Sequence, residues 1–169
     1  MSRYVLLLGA LFLGACSGRA APPQVIETVF GNSANYDAVM SAEGVQVCRL
    51  QPILAPGLDY EITGCREGPR LPVSAEQAAR LRAILVDPGV YVFDSVKPCA
   101  PIYGVRFQFD TNTGVVVLDL CFDCDILVFR RGGKAFGGED FDGGRLALVA
   151  LCKELFPQDV EIQGLPAAG

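Results

Sequence analysis

The strongest constraint on the fold is an alternation of apolar and polar residues that begins at Tyr103. Tyr103–Asp110 carries apolar side chains at every second position, which is the period of a strand that buries one face. Thr111–Gly114 has turn composition, so a hairpin into Val115–Leu120 is predicted. Ile126–Arg130 is predicted to be the next strand. The chain is therefore predicted to build an antiparallel β-meander.

Further strands are predicted on both sides of this meander. Turn residues lie at Asn32–Asn35 and at Ala55–Gly57. Val45–Leu50, between them, and Tyr60–Thr63, beyond the second, are rich in strand-forming residues. Val90–Phe93 is expected to form a short strand after the first helix. The glycine-rich segment Gly132–Gly138 is predicted to be a mobile loop.

Two segments have the apolar periodicity and the end signals of helices. Ser74 and Gln77 match a capping box, and Asp87–Gly89 ends the helix that follows them. Asp142 is predicted to cap a second helix, whose apolar stripe runs from Leu148 to Leu155.

The predicted fold class is α+β, an antiparallel meander with two helices packed on one face, in a single domain over residues 24–169. Of the 169 residues, 51% are hydrophobic, which suffices for a buried core at this length. The net charge of −5 argues against a nucleic-acid partner and against electrostatic docking to anionic lipid. The chain has no histidine, which excludes Ser-His-Asp catalysis, Cys-His catalysis and histidine-ligated zinc for the chain alone.

An even number of cysteines beyond residue 16 indicates disulfides in an exported domain. Cys48 and Cys65 would close a loop across the predicted N-terminal strand pair, so we expect them to bond. Cys99 is expected to bond one cysteine of the C-x-x-C pair that flanks the reversal between two meander strands. The disulfide candidates are Cys48, Cys65, Cys99, Cys121 and Cys124. Cys152, on the buried stripe of the last helix, is either a packed thiol or part of a third bond.

The pair Cys121 and Cys124 permits two other roles. As a redox dithiol it would make the chain a thiol-disulfide oxidoreductase, but no helix follows the pair to lower a thiol pKa, and Asp123 and Asp125 would raise it. An all-thiolate metal site would need Cys99 and one further cysteine at irregular spacings. Structural disulfides are therefore the leading interpretation.

A calcium loop is suggested by Glu139, Asp140 and Asp142, which lie beside the glycine-rich segment. The glutamate that closes an EF-hand loop is missing, and helix capping explains Asp142 more simply. No metal ligand and no cofactor are predicted.

The first sixteen residues have the features of an export signal. Arg3 gives a positive start, and Tyr4–Ala15 is an apolar run of twelve residues, whereas a bilayer-spanning helix needs about 20. Leu13-Gly14-Ala15-Cys16 resembles the lipobox of bacterial lipoproteins. The resemblance implies that residues 1–15 are a signal peptide and that the Cys16 thiol is diacylated. An ordinary cleaved secretory signal is the alternative.

The lipoprotein resemblance also carries the functional expectation. Residues 16–23 would be the lipidated cysteine and a flexible tether, and Ser17 after Cys16 favours the outer membrane, facing the periplasm. The expected partners are the membrane, through Cys16, and a protein of the cell envelope. The expected function is a non-enzymatic structural or interaction role, and the alternative is a membrane-tethered oxidoreductase that uses Cys121 and Cys124.

Overall fold

The computed structural model describes residues 21–54, 60–66 and 69–166. The predicted signal peptide, Cys16, the first part of the tether and the turn expected at Ala55–Gly57 lie outside the described residues. Ala21, which belongs to the predicted tether, is buried in the core. The packed body therefore begins before residue 24.

The chain forms helices and strands in the mixed order expected of an α+β domain. The helices are a π-helical turn at Val25–Val29, α1 at Ser33–Met40, α2 at Ala75–Val86, α3 at Arg145–Leu155 and α4 at Val160–Gln163. The strands are β1 at Gly44–Leu54, β2 at Tyr60–Cys65, β3 at Leu71–Pro72, β4 at Val105–Thr111, β5 at Gly114–Cys121, β6 at Ile126–Arg131 and β7 at Lys134–Asp140.

The strands form one antiparallel sheet in the order β2-β1-β4-β5-β6-β7, with β3 paired to β1. From β4 to β7 each strand pairs with the next one along the chain, which confirms the predicted meander. Phe107 and Phe109 of β4 and Leu118 of β5 are fully buried and belong to the core that the helices share. The opposite side of β4, β5 and β6, which we call the open face, carries the intervening residues, which include the charged side chains of Arg106, Asp119 and Arg130. The α+β class is confirmed.

The start of α2 follows the predicted capping box. The Ser74 hydroxyl accepts a hydrogen bond from the Gln77 backbone N–H at 3.2 Å, and the Gln77 side chain accepts one from the Ser74 N–H at 3.0 Å. Both bonds satisfy backbone donors that the helix leaves free.

Two sequence predictions about strands were wrong. Val90–Phe93 is not a strand, because the Asp87 carboxylate accepts from Gly89 and starts a 3₁₀ turn at Pro88–Val90. Gly132–Gly138 is not a loop throughout. Gly132 and Gly133 adopt positive φ angles of 56° and 81°, which is the geometry of a tight hairpin turn, and β7 follows directly. The backbone freedom of the two glycines serves the turn and does not make the whole segment mobile.

The starts of two helices also differ from what the sequence predicts. Asp142 does not cap α3; it begins a 3₁₀ turn at Asp142–Gly144, and its carboxylate binds Lys97 instead. The segment 32–35, which has turn composition, holds the start of α1. There the Asn32 side chain accepts from the Asn35 backbone N–H at 2.9 Å. Asparagine favours both turns and helix caps, so composition alone does not separate them.

Candidate functional site

The C-x-x-C sequence lies at one end of the sheet, in the reversal between β5 and β6. Cys121 is the last residue of β5 and pairs with Ile126, the first residue of β6. Asp125 closes the reversal with a φ of 53°, a left-handed conformation that aspartate tolerates better than most residues. Cys121 and Cys124 are both buried, so neither residue lies open on the surface.

A disulfide joins this reversal to the segment that leads into β4. We call that segment, residues 91–104, the connector. Cys99 of the connector is bonded to Cys124, with 6.0 Å between their Cα atoms. At the other side of the sheet, Cys48 of β1 is bonded to Cys65 of β2, with a Cα separation of 5.6 Å. Both distances are normal for disulfides. The predicted stabilisation by disulfides is confirmed.

The two remaining cysteines of the described chain are free and buried. Burial raises the pKa of Cys121, although backbone N–H groups of Cys124, Asp123 and Ile102 oppose that rise by hydrogen bonding to its sulfur. Burial raises the pKa of Cys152 to about 12. Both groups are therefore neutral thiols at pH 7, the less reactive form.

Native protein should leave both free thiols unmodified by iodoacetamide at pH 8. Cys121 and Cys152 are buried with raised pKa values, so little thiolate is present and little of it is accessible. The measurement is peptide mass mapping after a timed exposure, with urea-unfolded protein as the control in which both thiols react. Rapid labelling of native Cys121 would contradict this account of the site.

Charged side chains surround the disulfide. Lys97 of the connector contacts Asp140 at 2.9 Å and Asp142 at 2.5 Å, and it donates to the Cys124 carbonyl at 2.8 Å. Burial of Lys97 lowers the pKa of its ammonium group, but the hydrogen bonds to the two aspartates raise it by more, so the net pKa is raised. Lys97 therefore fastens the connector to the reversal beside the disulfide bond.

Arg145, the first residue of α3, binds the same reversal from the helix layer. Its guanidinium donates to the Asp125 carboxylate and, at 2.6 Å, to the Phe122 carbonyl oxygen. Burial raises the pKa of Asp125, and the pairing with Arg145 opposes that rise. The reversal is thus held by a covalent bond and by two cations.

Asp142→Asn should weaken the fold at neutral pH and have little effect in acid. The hydrogen bond from Lys97 lowers the pKa of Asp142, although partial burial opposes it. A lowered folded pKa stabilises the protein above the unfolded value of about 3.9, and this contribution is lost as the pH falls through the folded value. Asp142 is 46% exposed, so solvent screening limits the expected loss at pH 7 to about 1 kcal/mol.

The measurement is urea unfolding of the wild type and of Asp142→Asn at neutral pH and below the unfolded pKa of about 3.9. The difference between the two free energies of unfolding should shrink in acid. A difference of constant size across this range would contradict the proposed role of the Lys97–Asp142 contact.

An open cleft of about 1080 Å³ lies over this cluster. Its wall includes the disulfide, Asp142, Arg145 and the apolar residues Phe122 and Leu146. Leu146 is 66% exposed, unusually open for a leucine next to a buried ion pair. The cleft offers apolar contact at its rim and charged groups that are already paired on its wall.

A second charged cluster lies on the open face of the sheet. Arg106 binds Asp119 through two hydrogen bonds of 2.6 and 2.9 Å, and the Arg130 Nε atom lies 3.3 Å from the same carboxylate. Asp119 is completely buried. The Arg130 guanidinium stands 5.7 Å from the centre of the Tyr103 ring. This cluster fixes the register of three neighbouring strands.

The structure thus brings together some predicted residues and separates others. Cys99, Cys124 and Cys121 meet at one end of the sheet, whereas Cys48 and Cys65 bond elsewhere. The sequence analysis missed Lys97 and Arg145, since a single cation outside a motif carries no signal of its distant carboxylate. The described residues contain no group of three cysteines or carboxylates arranged to hold a metal ion.

Comparison with protein-family models, curated proteins and solved structures finds no match to this chain. Among the helices in the described part of the chain, none has the length and apolar character needed to cross a membrane.

Proposed function

We propose that the chain is a lipid-anchored protein of the bacterial cell envelope whose globular domain has an interaction role and no catalytic one. The lipobox-like sequence that ends at Cys16 supports the anchor. The two disulfides formed by later cysteines support an oxidising compartment, since such bonds are rare in the cytosol. Ser17 supports the outer membrane as the destination.

The observation that carries the interaction role is the state of the reactive groups around the cleft. Cys124 is bonded to Cys99, Cys121 is a buried thiol, and Asp142 and Asp125 are each paired with a cation. Nucleophiles and bases of enzymes need the opposite state, activated and within reach of a substrate. The exposed side chain of Leu146 at the rim is the kind of contact that a protein partner covers.

The anchor is tested with the full chain in a bacterium that processes lipoproteins. The wild type should be found in the membrane fraction, and its N-terminal peptide should carry acyl chains on Cys16. Cys16→Ser should be released from the membrane, with both disulfides unchanged. An unmodified Cys16 in the wild type would overturn the anchor.

The interaction role is tested by placing a photo-crosslinking side chain at position 146 in membrane-anchored protein. Position 160 is the control, because Val160 is 83% exposed but does not line the cleft. We expect one discrete adduct from position 146 and none from 160, with the partner identified by mass spectrometry. Equal patterns at the two positions would argue against the cleft as the binding surface.

The second candidate is a membrane-tethered thiol-disulfide oxidoreductase, and one observation favours it. The free thiol of Cys121 lies in the same reversal as Cys124, whose sulfur is in a disulfide, and the Cys124 backbone N–H faces the Cys121 sulfur. In an exchange, the Cys121 thiolate would attack the Cys124 sulfur, the bond to Cys99 would break, and Cys99 would leave as a thiolate. The raised pKa of Cys121 disfavours the first step. With glutathione supplied as the reductant, reduction of a disulfide substrate by the wild type, lost in Cys121→Ala, would promote this candidate over the first.

A further inference from the structure

The hairpin between β6 and β7 ends in a cluster of positive charge. Arg130, Arg131 and Lys134 lie within five residues of one another, around Gly132 and Gly133, in a chain whose net charge is −5. We call residues 130–134 the basic tip. A Cβ atom placed on Gly132 or Gly133 would have no atom within 4 Å, so the turn projects into open space.

Most of this charge is uncompensated. Arg130 shares Asp119 with Arg106, which leaves one positive charge in excess there. Within residues 21–54, 60–66 and 69–166, no carboxylate pairs with Arg131 or Lys134. Arg131 is half-buried over the Phe136 ring, and its Nε and Nη2 atoms are buried with no acceptor among these residues. The tip therefore has a local excess of positive charge, although the net charge of the chain is −5.

An exposed apolar side chain lies beside the charges. Val115 is 44% exposed at the start of β5. It lies two residues from Val117, which pairs with Arg130 on the neighbouring strand, so Val115 and Arg130 share the open face. Cations next to an exposed aliphatic group suit the boundary between lipid headgroups and acyl chains.

If Cys16 is acylated, the N-terminal segment holds the domain near the membrane. Ala21 is fixed in the core, and five residue steps from Cys16 to Ala21 span at most about 18 Å. The π-helical turn that follows packs against β7, one arm of the hairpin. A Cβ atom on Gly137 would lie 2.2 Å from the Val29 carbonyl oxygen, so the two backbones touch. The anchor would hold the domain, and this arm of the hairpin with it, close to the bilayer.

We propose that the basic tip binds the phosphate headgroups of anionic lipid in the membrane that holds Cys16, and that it orients the domain on that surface. This proposal rests on the lipid anchor proposed above. The net charge of the whole chain argues against such docking, but an average over 169 residues does not describe the field near a local cluster. Each cation near an anionic surface adds to the attraction, and salt screens it.

The test uses the mature chain from Ser17, exported behind an ordinary cleavable signal so that both disulfides form. The described residues of this chain pack around one core. Binding is measured by co-sedimentation with vesicles of phosphatidylcholine alone or mixed equally with phosphatidylglycerol. Binding should require phosphatidylglycerol and fall at high salt. The double variant Arg131→Gln/Lys134→Gln should bind about 30-fold more weakly, since two positive charges of the tip are lost.

The matched control is Arg70→Gln/Lys153→Gln, which removes the same charge elsewhere and should bind like the wild type. Lys134→Gln alone, at an exposed position, should weaken binding about fivefold. This single variant tests the proposal even if the double variant does not fold. Equal binding to both vesicle types, or equal weakening in the control, would overturn the proposal. The vesicle assay uses protein without a lipid anchor, so a negative result there says nothing about acylation of Cys16. Mass spectrometry of membrane-derived protein tests that acylation separately.

Discussion

Replacing Cys99 and Cys124 together by alanine should lower the free energy of unfolding by about 3.5 kcal/mol. The bond closes a loop of 25 residues, and in the chain-entropy model its loss frees that loop in the unfolded state. The connector would then be fastened to the reversal only by Lys97 and its partners. The effect should be measured by urea unfolding without reductant.

Cys121→Ala is the control, because it removes a neighbouring thiol and no disulfide. It should cost roughly 1 kcal/mol, the price of a small cavity. Comparison of the two variants separates the contribution of the Cys124 disulfide from that of the packed Cys121 thiol. If Cys121→Ala were as damaging as the double variant, Cys121 would be a bonding partner and the connectivity described here would be incorrect.

Arg106→Met should destabilise the protein by about 3–5 kcal/mol. Arg106 makes both short hydrogen bonds to Asp119, which is completely buried. Without them the carboxylate keeps only the longer contact of 3.3 Å to Arg130. A buried charge that loses its main partner costs far more than the pair contributes, because it cannot return to water.

Arg80→Met is the matched control, since it makes the same change in an exposed pair with Glu154. Solvent screens that pair, so its loss should not measurably alter the urea midpoint. Both variants are compared by urea unfolding at neutral pH. A small effect of Arg106→Met, similar to that of Arg80→Met, would contradict the role assigned to the buried Arg106–Asp119 pair.

The sequence predicts those parts of the fold that depend on neighbours along the chain. The period of two in β4 and the turn at Thr111–Gly114 are local, and both appear as predicted. The capping box of Ser74 and Gln77 is complete within four residues, and it also forms as predicted. Patterns of this kind need no knowledge of tertiary contacts.

Predictions fail where a distant residue decides the outcome. Asp142 has the right chemistry for a helix cap, yet Lys97, from a different part of the chain, takes its carboxylate. The glycines at 137 and 138 resemble a loop, but in the structure they allow close backbone contact with the π-helical turn and with β6. Glycine content alone does not distinguish flexibility from close packing.

The sequence predicts the disulfides of the candidate site but not every bonding partner, because the partner of Cys99 depends on tertiary contacts. An even set of cysteines predicts disulfides, and the position of Cys99 just before the meander places it near the C-x-x-C pair. Nothing local indicates that Cys124, and not Cys121, is its partner. That choice depends on which side of the reversal faces the connector.

The most direct test of the account is peptide mass mapping of the native protein, isolated from membranes without reductant. We expect acyl chains on Cys16, disulfides joining Cys48 to Cys65 and Cys99 to Cys124, and free thiols at Cys121 and Cys152. An unmodified Cys16 together with a disulfide between Cys121 and Cys124 would contradict the account and favour a thiol-disulfide oxidoreductase.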